Sequence, residues 1–228
     1  MNTKFEFVPE DTKNGLTRIR AIRDFGNVRK GDLGGYLEKE SNLSSYGNAW
    51  VHGNARVSGD AWVSGNACVF GNACVFGDAR VHGTASVFGN ACVFGDARVH
   101  GTAVVFGYAS VSGNARVHGT AWVSDNARVF GTAGVFDNAK VSGNAKVFGY
   151  MNIRFEYDKS YPSINTSDGY TMALDIKNKK ISVGCRYFTI PEAIEHWTKT
   201  RGDTELGIER IEHVKYFQYL IEKRELNS

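Results

Sequence analysis

The stretch NACVFGDARVHGTA at residues 72–85 decides the fold, because the same fourteen letters return at residues 90–103, eighteen positions later. Within each copy a shorter unit of six residues repeats, which can be written A-x-V-x-G-[N/D/T]. Alanine fills every sixth position from Ala49 to Ala145, and valine follows two residues after each alanine. The two nested periods indicate that three short units complete one larger structural unit.

The six-residue unit predicts a short β-strand followed by a tight corner. Alternation in Ala-x-Val sends alanine and valine to one face of a strand and the residues beside them to the other face. Glycine followed by Asn, Asp or Thr suits a corner, because glycine adopts backbone angles that other residues avoid. Three edges close a triangle, so the sequence predicts a mainly β protein, a triangular parallel β-helix with 18 residues per coil.

The composition excludes several classes of function. The 228 residues are 42% hydrophobic and 22% charged, as in ordinary globular proteins. A net charge of +3 is too small for the overall field to concentrate nucleic acid or a membrane surface. No apolar run approaches the roughly 20 residues that span a bilayer, and the beginning of the chain lacks the apolar segment of a signal peptide. We therefore expect a cytoplasmic protein that binds neither membranes nor nucleic acid.

Three blocks separate along the chain. We predict an N-terminal cap over residues 1–46, a β-helix of hexapeptide repeats over 47–149, and a C-terminal α+β cap or oligomerisation domain over 150–228. Leu37 and Leu43 have the spacing of a degenerate coil that precedes the regular repeats. Caps are expected because an uncovered coil would present unpaired strand edges to other molecules.

The two caps contain signals for strands and helices. Alternating residues predict short strands at 4–8 and 16–22, and a hairpin is predicted from strands at 170–177 and 180–188. Helices are predicted from Pro191 to Thr200 and from Thr204 to about Glu225. The apolar face of the second helix is expected to contain Ile208, Ile211, Val214, Phe217, Leu220 and Ile221.

The repeat resembles the hexapeptide-repeat left-handed parallel β-helix, which also has an inward aliphatic residue, a small residue two positions earlier and Asn or Asp three positions later. The glycine of the present repeat lies one place later than the glycine in the usual pattern of that family. The flanks TRIRAIRDFGNVRKGDLGGYLEKESNLS (17–44) and ISVGCRYFTIPEAIEHWTKTRGDTELGIERIEHVKYF (181–217) look like uncharacterised repeat proteins encoded by phages and prophages. The resemblance implies a trimeric left-handed β-helix, the host cytoplasm as its location and, by common assignment, acyltransferase activity.

The outward residues sort into three unlike faces according to their position in the 18-residue coil. One face carries an arginine column, a histidine column and a threonine column at the next corner: Arg80, Arg98 and Arg116; His82, His100 and His118; Thr84, Thr102 and Thr120. The other two faces carry phenylalanine columns: Phe70, Phe88 and Phe106 on one, and Phe76, Phe94, Phe130 and Phe148 on the other. Because soluble monomers seldom expose large apolar patches, we expect the phenylalanine faces to lie between subunits of a homotrimer. The alternative is an aromatic ladder left partly in solvent.

The arginine column predicts a site for an anion. Guanidinium groups about 5 Å apart repel one another by a few kcal/mol per pair at an effective dielectric of about 20, before solvent screening. A multivalent anion would relieve this repulsion, since arginine matches phosphate oxygens and the histidine and threonine columns add donors. The alternative is that duplication of an 18-residue unit copied the columns without any role.

The repeats do not have the usual arrangement of an active site. Acyltransferases of the resembled family use one catalytic histidine and a long projecting loop, whereas residues 47–149 contain neither an insertion nor a glutamate. The cysteine and histidine columns lie on different faces, which disfavours zinc, and Cys68, Cys74, Cys92 and Cys185 are expected as reduced thiols. We therefore expect no catalytic residue, metal or cofactor.

The expected function is that of a non-catalytic, phage-associated trimer that captures an anionic, phosphorylated small ligand. A nucleotide sequestered from a host signalling system, as a counter-defence sponge, would fit this description. Two alternatives stay open: a hexapeptide-repeat acyltransferase, and a structural scaffold that binds only protein.

Overall fold

The computed structural model describes residues 3–149, 151–157, 162–184 and 186–225. Its main body is a parallel β-solenoid of about six turns, in which each coil contributes one short strand to each of three sheets. Within the repeats, strand partners lie eighteen residues apart, as Arg98 and Arg116 do. The three-sided coil of 18 residues predicted from the repeat is therefore confirmed.

The three sheets form three faces, which we name after outward residues. The arginine–histidine face carries Arg80, Arg98 and Arg116 and contains β6 (Trp62–Val63), β9 (Arg80–Val81), β12 (Arg98–Val99), β15 (Arg116–Val117), β18 (Gly134–Val135) and β21 (Asn152–Ile153). The Phe88 face contains β4 (Trp50–Val51), β7 (Cys68–Val69), β10 (Ser86–Val87), β13 (Val104–Val105), β16 (Trp122–Val123), β19 (Lys140–Val141) and β22 (Glu156–Tyr157). The Phe94 face contains β1 (Phe5–Lys13), β2 (Leu16–Ala21), β3 (Leu33–Leu37), β5 (Arg56–Val57), β8 (Cys74–Val75), β11 (Cys92–Val93), β14 (Ser110–Val111), β17 (Arg128–Val129) and β20 (Lys146–Val147).

The interior of the solenoid is filled by the repeated alanines and valines. Ala97 and Val99 are representative, since neither side chain is exposed to solvent. Three edges meet in a narrow prism, so the inward positions accept only small and medium-sized side chains. Parallel backbone hydrogen bonds join the coils, for example from the Arg98 amide to the Ala115 carbonyl oxygen at 2.9 Å. The outward residues of one column are therefore held in register by the backbone.

The N-terminal residues extend the Phe94 face and add an irregular coil. Strands β1, β2 and β3 pair antiparallel, while β3 pairs parallel with β5. Leu37 is opposite Val57 and Leu43 is bridged to Val63, with a short 3-10 helix at Glu40–Asn42 between the two leucines. The two predicted strands and the degenerate coil before the repeats are confirmed.

The C-terminal residues form a four-stranded antiparallel sheet and two helices. The sheet has the order β23 (Ser163–Asn165), β24 (Thr171–Asp175), β25 (Lys180–Val183) and β26 (Arg186–Thr189). Helix α1 spans Ile190–Arg201 and helix α2 spans Glu205–Glu225, close to the predicted bounds. The predicted hairpin is present as β24 and β25. No helix in the described ranges is both long and apolar enough to cross a membrane.

Two details of this region differ from the sequence prediction. Residues 180–188 do not form one strand, because the chain turns at Gly184, where φ is +54°, and β26 folds back against β25. In α2 the buried residues are Gly207, Arg210, Val214, Phe217 and Ile221, whereas Ile208 is 53% exposed. The predicted apolar face was wrong at its N-terminal end, because Gly207 and not Ile208 packs closely against the preceding turn: a Cβ there would lie 2.4 Å from the Gly202 oxygen.

Candidate functional site

The arginine column lies on three neighbouring strands of the arginine–histidine face. Arg80, Arg98 and Arg116 occupy equivalent positions in β9, β12 and β15 and are paired in register. Adjacent strands of a sheet are about 4.8 Å apart, so the three side chains leave the backbone at that spacing. All three are exposed, and solvent therefore reduces their mutual repulsion relative to buried charges.

The arginine column has no carboxylate partner. No ion pair joins Arg80, Arg98 or Arg116 to an acidic residue anywhere in the described ranges. Asp78 and Asp96 occupy the corners just before the first two arginines, but neither forms an ion pair with them. The face therefore presents three guanidinium groups whose donors are free to contact a ligand.

The histidine column is a continuous stack of rings. The ring centroids of His82 and His100 are 4.9 Å apart and those of His100 and His118 are 4.8 Å apart, with nearly parallel planes. Burial lowers the pKa of all three histidines below the usual value, and the nearby arginines lower it further. At neutral pH the column thus consists of uncharged imidazoles that can donate a hydrogen bond without adding charge.

The stack continues beyond the three identical repeats. Phe136 lies against His118 with ring centroids 4.4 Å apart, and the Arg154 guanidinium lies 5.2 Å from the Phe136 ring. Arg154 also forms an ion pair with Asp137 at 2.5 Å. Phe136 and Arg154 lie outside the ARVHGT copies, yet the period of the column would have identified both, since Phe136 is eighteen and Arg154 thirty-six residues from His118.

The threonine column contacts the backbone of the next coil. The hydroxyl groups of Thr84, Thr102 and Thr120 each donate to a carbonyl oxygen seventeen residues ahead, at 3.0 Å. Those hydroxyl protons are engaged in joining coils and are not directed at a ligand. The threonine hydroxyls can therefore contribute little as donors to an anion site, although the sequence pattern predicted that they would.

The phenylalanine columns form stacked ladders on the other two faces. Centroid distances are 4.6 Å for Phe70 and Phe88, 5.2 Å for Phe88 and Phe106, and 4.9 Å for Phe76 and Phe94. A separate pair, Phe130 and Phe148, stacks at 5.5 Å. Stacking covers the ring faces, yet Phe70, Phe76 and Phe130 stay 37–40% exposed. An apolar surface is therefore available on both faces, and the oligomer interface stays a prediction.

The Phe94 face also carries a pair of neighbouring thiols, Cys74 and Cys92, whose interaction the sequence pattern did not predict. Arg56 donates to the Cys74 sulfur at 3.0 Å, and Cys92 is the register partner of Cys74 on the next strand. Hydrogen bonding by Cys92, followed by Arg56, lowers the pKa of Cys74 to about 6, whereas the pKa of Cys92 is raised. The three cysteines with described side chains are free thiols, and Cys185 lies outside the described residues.

The described residues contain no group of three His, Cys, Asp or Glu side chains that could hold a metal ion. Coils from residue 47 to 149 are uniform, with one two-residue strand in every six residues. His118 differs from His82 and His100, because it lies against Phe136 and the charge of Asp137 opposes the lowering of its pKa by burial. No ion pair joins any of these three histidines to a carboxylate in the part of the chain described.

Comparison with known families supports the fold. The family described as YdcK Beta solenoid repeat matches residues 49–65, about one coil of the chain. No curated protein matches the sequence. The match and the structure together identify a β-solenoid repeat protein.

Proposed function

We propose that this protein is a non-catalytic binding protein that holds an anionic, phosphorylated small molecule against its arginine–histidine face. The observation that carries the proposal is the in-register column of Arg80, Arg98 and Arg116, exposed and without an acidic partner among the described residues, beside a stack of uncharged imidazoles. A nucleotide fits both columns, because its phosphates suit the arginines and the edges of the imidazoles, which the stacking does not cover, can donate to acceptors of its base.

The charge arrangement makes binding dependent on pH. The histidines are neutral at pH 7, because burial holds the pKa of each below 6.5. As the pH falls through that lowered pKa, the imidazoles acquire positive charge next to the arginines. A bound anion compensates that charge, so affinity should rise on acidification until the phosphate itself becomes protonated.

The assembly that we propose is a homotrimer in which the phenylalanine ladders face neighbouring subunits. Burial of Phe70, Phe76 and Phe130, which are partly exposed in a single chain, would remove apolar surface from water. Within such a trimer the arginine–histidine face would stay open to solvent and to a ligand. Sequestration of a host signalling nucleotide by a phage-encoded trimer is the biological role that we propose for this arrangement.

Calorimetric titration with a panel of mono-, di- and cyclic nucleotides tests the proposal. Replacement of the central arginine, Arg98→Ala, should weaken the affinity roughly 10- to 100-fold, because a charged hydrogen bond is lost. Arg128→Ala is the matched control, since Arg128 is an exposed arginine at the same hexad position on the Phe94 face. Wild-type affinity is expected for that variant.

Absence of heat with every nucleotide, or equal weakening by Arg98→Ala and Arg128→Ala, would exclude the arginine–histidine face as the site. An acyl-transfer assay on the same samples addresses the main alternative. Product formation that is lost on replacing a single histidine would indicate an acyltransferase. Retained affinity for a protein partner in Arg98→Ala, without nucleotide binding, would indicate a scaffold.

A further inference from the structure

Arg210 occupies an unusual position on the buried stripe of helix α2. The stripe is otherwise apolar, with Val214, Phe217 and Ile221 on the same side of the helix, yet Arg210 is only 4% exposed. Burial of a guanidinium group is unfavourable unless its N–H groups meet acceptors. The contacts of this side chain therefore indicate what the position is built for.

Only part of the Arg210 guanidinium group has an acceptor. Nη2 donates to Oδ1 of Asp168 at 2.6 Å, whereas Nη1 is buried with no hydrogen-bond partner among the described residues. Burial alone would raise the pKa of Asp168, but hydrogen bonds from Thr166 and Arg210 lower it, so the carboxylate is ionised. The ring centroids of Tyr170 and Trp197 lie 5.5 Å and 5.8 Å from the Arg210 guanidinium carbon, so both rings pack against this group.

Arg210 lines a cavity between the end of the solenoid and the C-terminal helices. The cavity has a volume of about 610 Å³, within the range of small-molecule sites. Thr132 and Asn152 line it from the solenoid, while Arg186, Arg201 and His196 line it from the C-terminal elements. The described lining contains three arginines and one carboxylate, that of Asp168, so its net charge is +2.

The lining combines buried and accessible donors. Arg186 and Arg201 are exposed and flank the cavity, while Arg210 is buried. His196 stacks on Phe188 with ring centroids 5.0 Å apart, and burial followed by Arg186 and Arg201 lowers its pKa. A neutral imidazole and two guanidinium groups can donate to the same anion from different sides.

We propose that this cavity, the cap cavity, binds a small aromatic molecule that carries an oxyanion, either a phosphate or a carboxylate. The anion is bound by Arg186 and Arg201, and Arg210, which also lines the cavity, adds positive charge there. Tyr170 and Trp197 provide the apolar walls for the ring of the ligand. The site is separate from the arginine–histidine face and does not depend on the function proposed for that face.

Titration of the full chain with phenyl phosphate, benzoate and phenol tests the cap cavity. Phenyl phosphate or benzoate should saturate one site that Arg201→Ala weakens, whatever phenyl phosphate binds on the arginine–histidine face, and phenol should bind that site at least about tenfold more weakly because it lacks the anion. The preference between the two anions distinguishes a phosphorylated from a carboxylated ligand. Failure of both anions to saturate at millimolar concentration, or equal binding of phenol, would overturn the proposal.

Single substitutions show where on the chain the anion binds. Arg201→Ala changes an exposed residue and should weaken the anion about tenfold without altering the fold. Arg210→Met should weaken it at least as much, and its circular dichroism spectrum reports whether the C-terminal helices remain folded. Arg128→Ala is the matched control, because Arg128 is an exposed arginine on the Phe94 face and belongs to neither proposed site, so it should leave the affinity unchanged. Unchanged affinity in Arg201→Ala, or loss of affinity in Arg128→Ala, would show that the anion binds elsewhere.

Discussion

Two glycines at the same position of the six-residue unit permit a direct test of how closely the coils of the solenoid approach. Gly101 has φ of +72° and Gly143 has φ of +62°, so alanine would be conformationally strained at both. Their surroundings differ. A Cβ atom at Gly101 would lie 2.8 Å from the carbonyl oxygen of Gly119, whereas nothing lies within 4 Å of a Cβ at Gly143.

The difference in surroundings predicts a difference in stability. Gly143→Ala should cost only the strain of a left-handed backbone, about 1–2 kcal/mol of unfolding free energy. Gly101→Ala carries the same strain and must also push two coils apart, which disturbs the hydrogen bonds from the Thr102 amide and hydroxyl to the Gly119 oxygen. With about 1 kcal/mol for each bond, the total for Gly101→Ala is about 3–4 kcal/mol.

Urea unfolding followed by circular dichroism compares the two variants under one set of conditions. Hydrogen exchange at the Thr102 amide adds a local measurement, because this amide donates to Gly119 and should lose protection in Gly101→Ala only. Equal loss of stability in the two variants would refute the reasoning. It would mean that the backbone strain decides the effect and that the coils separate without cost.

Two further predictions concern the other faces. Cys74 should be alkylated by iodoacetamide roughly fourfold or more faster than the similarly buried Cys68 at pH 7, since its pKa is about 6 and its greater thiolate fraction outweighs its lower nucleophilicity. Peptide mass spectrometry measures both rates, and the advantage should disappear as the pH approaches 9.0, the value of an ordinary thiol. Equal rates at pH 7 would contradict the lowered pKa that hydrogen bonding by Cys92 and then by Arg56 gives Cys74. In light scattering the protein should have three times the mass of a 25.1 kDa chain, and Phe88→Asp combined with Phe94→Asp should dissociate or unfold it, because each introduces an unpaired charge into an apolar interface. A monodisperse wild-type monomer would exclude the trimer.

The solenoid could be predicted from the sequence because its determinants are local and repeated. Each Ala-x-Val segment specifies which side chains point inward, and each corner glycine specifies where the chain turns. The eighteen-residue period then assigns neighbours, so that the register of Arg80, Arg98 and Arg116 followed without any structure. Errors do not accumulate in such a fold, since each coil contacts mainly the coils next to it.

Side-chain contacts inside the repeat did not follow from its period. The period placed Arg56 and Cys74 in one column, but the bond between them depends on side-chain conformations that a pattern does not contain. The threonine hydroxyls likewise could donate either to a ligand or to the next coil. The geometry of the corner directs them to carbonyl oxygens of the next coil.

By itself, the sequence determined the architecture of the solenoid, the identity of its three faces and the presence of two terminal helices. Tertiary structure alone decided that Arg210 lies on a buried stripe, because its partner Asp168 is 42 residues away and its cavity is completed by Asn152 of the solenoid. Sequence hydrophobicity favoured Ile208 for the buried side of the helix. In the structure Gly207 packs closely at that point, and Ile208 therefore lies on the exposed side. Periodic neighbours are set by chain geometry, while a single buried charge is set by the groups that surround it in space.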